Sequence, residues 1–197
     1  MPDKVDLKRT LDSYRAVRGS FRILDVPDQR YLMIDGHGDP NTGVFTAAVE
    51  RLYPLAYSLK FASRRELDRD YVVPPLEGLW WADDHTSFTT ARDKTQWSWT
   101  LMILIPEWVP AALVNGLDLG PVRLETLSEG RCVQTLHVGA FDDEAPVLER
   151  MHTEFIPQQG LRMTGRHHEI YLSDARRVAP EKRRTILRQP VETIVTI

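Results

Sequence analysis

His167-His168-Glu169-Ile170-Tyr171-Leu172, late in the chain, has a counterpart in Pro75-Leu76-Glu77-Gly78-Leu79-Trp80-Trp81 in the first half. Each stretch reads as a strand that places a glutamate beside aromatic side chains. Strand side chains alternate, so Glu169, Tyr171 and Ser173 share one face while His168, Ile170 and Leu172 share the other. The same alternation puts Trp81 on Glu77's side, although Pro74 and Pro75 can shift that register. Two acids aimed at aromatic surfaces suggest a cleft for a flat, apolar or cationic molecule.

Working outward, both stretches occupy the same place in a repeated order. Arg30 to Asp35 reads as a strand that ends in the turn Gly36-His37-Gly38-Asp39-Pro40. Asn41 or Thr42 is placed to cap a helix. Val44, Ala47, Ala48, Leu52, Leu55 and Ala56 recur at the three-and-four spacing of one buried helical face. A charged loop is expected over 62–70, then an edge or bulged strand over 71–81, a polar stretch over 82–96 and a strand over 97–105. After a short helix or loop at 111–119, the second half repeats the plan. Strand 131–138 leads to the turn at Gly139, a helix over about 144–158, strand 168–173 and strand 184–191. Gly36 thus pairs with Gly139, and Glu77 with Glu169. Upstream, Leu7, Leu11 and Tyr14 space as one helical face, and 21–27 reads as extended.

The expected fold is therefore α+β. Two β-α-β-β units, about 28–106 and 130–197, share an antiparallel sheet with pseudo-twofold symmetry and a central ligand groove. Residues 1–27 form an extension, and 1–197 is one domain.

Composition narrows the function. A net charge of -3 and a pI near 6.1 argue against a nucleic-acid surface. The longest apolar run, Leu101 to Ile105, is too short to span a membrane. The single cysteine, Cys132, cannot form an internal disulfide, and a reducing, cytoplasmic setting is expected. Its apolar surroundings suit a buried, inert thiol.

The segments Tyr31 to Pro40, Val72 to Trp81 and His167 to Asp174, in this order, resemble the stand-alone GyrI-like small-molecule-binding proteins. The resemblance covers nearly the whole chain. It implies the fold just described, with a groove carrying a glutamate. Relatives serve as drug-sensing modules of transcription regulators, as a gyrase inhibitor and as hydrolases of cyclopropane-bearing genotoxins. This chain shows no N-terminal helix-turn-helix of the regulator type.

Glu169 is the leading site residue. A glutamate in a mostly apolar strand must be solvated, paired or kept for a ligand; pairing with Arg166 is the plain alternative, and the resemblance favours the ligand. Glu77, Trp80, Trp81, Trp99, Tyr71 and Tyr171 complete the expected lining, though tryptophans more often fill cores. Adjacent His167 and His168 point to opposite faces and cannot readily share a metal ion, so neither metal nor cofactor is expected. Gly36-His37-Gly38 lacks the third glycine of a nucleotide loop. Three functions follow: capture of a small molecule for sequestration or detoxification, hydrolysis of a cyclopropane-bearing genotoxin with Glu169 as base and Tyr171 assisting, or contact with gyrase.

Overall fold

The computed structural model describes residues 4–83 and 93–194. Among these residues, nine strands form one antiparallel system around a central seam. The strands are β1 (Arg22–Val26), β2 (Gln29–His37), β3 (Leu76–Trp81), β4 (Ser98–Ile105), β5 (Arg123–Leu127), β6 (Gly130–Val138), β7 (Leu161–Met163), β8 (His167–Tyr171) and β9 (Arg184–Thr193). Their order is β1-β6-β9-β8-β3-β4-β2-β5, with β7 paired to β9. Reading outward from the β3–β8 seam gives β3-β4-β2-β5 on one side and β8-β9-β6-β1 on the other. The sheet is antiparallel and the fold α+β, as expected; along the chain one side runs β2, helix, β3, β4, β5 and the other β1, β6, helix, β8, β9, with the short β7 between that helix and β8.

Helix α2 (Gly43–Leu67) covers the first side. Leu52 and Leu59 are fully buried, and each stabilises by roughly 1.5–3 kcal/mol relative to exposure. The charged stretch from residue 62 is mostly helix and not the expected loop. Its charges, Arg64 and Arg65, lie on the solvent face, while Lys60 and Ser63 turn inward. Lys60 pairs with Asp70, and Ser63 donates to the Arg69 carbonyl at 2.8 Å, so polar residues anchor the helix end. Asp68, in the left-handed region at φ 52°, closes it. At the other end Thr42 holds the cap position, but its hydroxyl donates back to the Asp39 carbonyl at 2.7 Å.

The second side is covered by a broken helix: α4 (Ala145–Glu149), a π-helical stretch (Arg150–Phe155) and α5 (Ile156–Gln158). The single helix expected there is interrupted, with Pro146 and Pro157 bracketing the π turn. A short helix α3 (Ala111–Asn115) joins the halves. Both coverings lie on one face of the sheet, with α2 packed on Leu32, Leu101 and Ile103, and the broken helix on Val133 and Leu187.

The opposite face is covered by the N-terminal segment. Leu7, Leu11 and Tyr14, expected on one helical face, lie instead on a single turn α1 (Leu7–Thr10) and a 3₁₀ turn at Asp12–Tyr14. Leu7 and Tyr14 pack there on Tyr31, Met102, Ile170 and Ile186. No helix among the described residues is long and apolar enough to cross a membrane.

Candidate functional site

The seam decides which side chains meet. In its register Gly78 opposes Glu169 and Trp80 opposes His167. Alternation then sends Glu169, Tyr171, His167 and Trp80 to the helix-covered face, between α2 and the broken helix. There the Trp80 indole Nε1–H donates to the Tyr171 hydroxyl at 3.0 Å, and that hydroxyl donates to Glu169 Oε2 at 2.7 Å. Gly78 makes this possible. A Cβ at that position would lie 2.8 Å from Trp80 Nε1 and 3.2 Å from the Tyr171 oxygen.

Rings surround the chain of hydrogen bonds. Phe45 of α2 stacks on Trp80 at 6.2 Å between centroids, and Trp97 meets Trp80 edge-on at 5.9 Å. Phe141 meets Tyr171 edge-on at 5.6 Å from the second side. Burial, together with the charges of Glu169 and Glu144, raises the Tyr171 pKa well above that of an ordinary phenol. Tyr171 therefore keeps its proton and acts as a donor. Glu169 Oε1 faces His167 Nε2 at 3.5 Å, and the π-helical turn brings His152 edge-on to the His167 ring at 6.2 Å. The Glu169 side chain is 14% exposed, so it is sheltered yet reachable.

Glu77 is not part of this cluster. The register sends it to the other face, where it is completely buried. It accepts from the Tyr14 hydroxyl and meets His168 Nε2 at 2.8 Å. His168 Nδ1 lies 2.9 Å from Glu129, which also accepts from Arg188 Nη1 at 2.8 Å. Arg188 Nη2 reaches the Ser13 carbonyl at 2.6 Å. Two acids and two bases thus fasten the N-terminal segment to the sheet. Burial opposes the charge of Glu129, but His168 and Arg188 outweigh it and hold its pKa at about 2. Burial likewise opposes the charge of His168, and Glu129 and Glu77 outweigh it and raise the imidazole pKa.

The remaining expected lining residues divide. Trp81 shares Glu77's face, with the Arg166 guanidinium 3.6 Å from its ring centroid; Arg166 does not take Glu169. Trp99 is 1% exposed and lies over Gly36, its indole donating to the Gly38 carbonyl at 3.2 Å. Tyr71 is also 1% exposed and packs edge-on against Trp108. These two are core residues, packed in the cluster beneath α2. Trp80, Tyr171 and Glu169 do come together. Sequence reasoning passed over Phe45, Phe141, Glu144 and His152, and weighed His167 only as a metal ligand. For His167 the signal was present, since it alternates with Glu169 and Tyr171.

A cavity of about 510 Å³ opens on the opposite side, lined by Tyr14, Phe21, Arg22, Leu172 and Arg184 among others, and does not include Glu169. No group of three or more His, Cys, Asp or Glu residues among the described residues is arranged to hold a metal.

The model of the GyrI-like small molecule binding domain matches residues 20–192. An uncharacterized conserved protein from Listeria innocua has the same fold, with 37% identity and a TM-score of 0.86, over 96% of this chain and 100% of that one. A hydrolase encoded by lin2189 from Listeria innocua is 35% identical with a TM-score of 0.83, over the same shares. The EcmrR C-terminal domain shares the fold alone, at 11% identity and a TM-score of 0.59 over 89% of this chain and 98% of that one. No curated protein matches. The match over most of its length, and the sheet that carries it, make this chain a member of the GyrI-like small molecule binding domain family.

Proposed function

We propose that the site around Glu169 captures a planar, apolar or cationic small molecule and hydrolyses it when it carries a strained, electrophilic ring. The carrying observation is the ordered series Trp80 Nε1–H, Tyr171 O–H, Glu169 Oε2, set among aromatic faces. A desolvated cation against such faces gains about 2 kcal/mol, and the carboxylate adds charge complementarity. The same arrangement suits general base chemistry. Tyr171 holds one Glu169 oxygen, and a lone pair left open on the carboxylate takes a proton from water. The water oxygen bonds to the CH₂ of a cyclopropane conjugated to a carbonyl. The ring C–C bond breaks, its electron pair moves to the carbonyl oxygen, and that oxygen is protonated as the product leaves. Two solved Listeria innocua structures, at 35% and 36% identity, are of a hydrolase, which supports turnover over simple capture.

The test uses two probes. A rhodamine-type cation titrated by fluorescence measures capture, and micromolar binding is expected. A spirocyclopropyl cyclohexadienone, whose water adduct is a hydroxyethylphenol, measures turnover by mass spectrometry. Glu169→Gln abolishes the adduct and leaves the fold intact. Dye binding without adduct in the wild-type protein reduces the function to sequestration. A Glu169→Gln variant with wild-type turnover removes Glu169 from the chemistry.

A further inference from the structure

We propose that His167 is the positioning residue for Glu169, holding its second oxygen as Tyr171 holds the first. The inference rests on the hydrolytic reading above and gives that reading its missing orientation. His167, Glu169 and Tyr171 follow one another on one strand face, so no loop rearrangement is needed to join them. Tyr171 takes Glu169 Oε2 at 2.7 Å, and His167 Nε2 stands 3.5 Å from Oε1. Both ring nitrogens of His167 are buried, and neither has a hydrogen-bond partner among the described residues. A buried polar group in that condition calls for an explanation, and a role at a site is a common one. Apo sites often hold such contacts long, and they tighten when the substrate binds.

The geometry assigns the tautomer. A carboxylate oxygen facing Nε2 favours a proton on that nitrogen, which is then placed to donate to Oε1 as the 3.5 Å contact shortens. That shortening fixes Glu169 at both ends and leaves its remaining lone pairs for the base role. His152, edge-on to the same imidazole, limits rotation of the ring. The π turn that carries His152 is a feature that recurs at functional sites.

Three measurements test this. His167→Leu lowers kcat on the spirocyclopropyl cyclohexadienone about 100-fold, with KM nearly unchanged, because misplacing one reacting group by about 1 Å has that effect. His167→Gln, whose side-chain amide can donate from nearly the same place, restores most of kcat. Nitrogen-15 spectra of the imidazole, read without any substrate, show Nε2 protonated and Nδ1 bare in the wild type, and a changed tautomer mixture in Glu169→Ala. Thermal melts confirm that each variant is folded. A His167→Leu protein with wild-type kcat overturns the inference and leaves hydrolysis standing. An Nδ1-protonated ring in the wild type overturns it whatever the kinetics show. Absence of turnover in the wild type, with the expected tautomer present, sinks the hydrolytic reading and keeps the His167–Glu169 contact.

Discussion

Replacing Glu129 by Gln tests the buried ionic cluster most directly. The substitution keeps shape and removes one charge from a group whose side chain is 3% exposed. In the unfolded chain a glutamate titrates near 4.5, and in the fold Glu129 titrates at about 2. That depression, at 1.36 kcal/mol per pKa unit, contributes roughly 3 kcal/mol at neutral pH. Removing one partner of a buried pair independently suggests about 3–5 kcal/mol, since Arg188 and His168 are left uncompensated. For a domain of this size a loss of about 3–5 kcal/mol lowers Tm by roughly 6–20 °C. The sign with pH is fixed by the direction of the shift. A depressed acid stabilises above its unfolded pKa, and the benefit disappears as pH falls from about 4.5 towards 2. Thermal or urea melts of both proteins at neutral pH and through this acid range are the assay. The gap between wild type and variant should be widest near neutrality and should close in acid. Equal stability at neutral pH, or a gap that grows in acid, refutes the ionic account.

Two other outcomes follow from the same geometry. His168 has a raised folded pKa, so its stabilising effect is complete below about pH 6.5 and is lost as pH rises through the folded value; melts of the wild type show this alkaline decline, and a His168→Gln protein lacks it. Gly78→Ala drives a methyl group into Trp80 Nε1 and the Tyr171 hydroxyl, so stability falls by about 1–3 kcal/mol and affinity for the cationic dye weakens; unchanged dye titrations would show that the Trp80–Tyr171 contact does not shape the groove.

The fold was legible because its elements carry strong periodic signals. β4 and β8 alternate or run apolar between turn residues, and the α2 face repeats at three and four. Glu169 with Tyr171 was legible for the same reason, since two residues on one strand share a face. Glu77 was misplaced because its side depends on the register with β8, and register is a property of two strands far apart in sequence. Its partners are also distant: Tyr14 and His168 flank it, and Glu129 and Arg188 lie beyond. The π turn leaves no period to read, so His152 could not be aimed at His167 in advance. The polar stretch 84–92 lies outside the described residues.

The contact between Arg188 and the Ser13 carbonyl spans 175 positions of the chain. During synthesis the ribosome releases residues 5–18 long before β9 exists, and their polar carbonyls find no guanidinium until the final strand emerges. Closure over so long an interval is slow. A nascent polypeptide stalled before Arg184 therefore exposes the Met102 and Ile170 side of its sheet, and chaperones that recognise apolar surface should bind such stalled chains and let go once the last strand is complete.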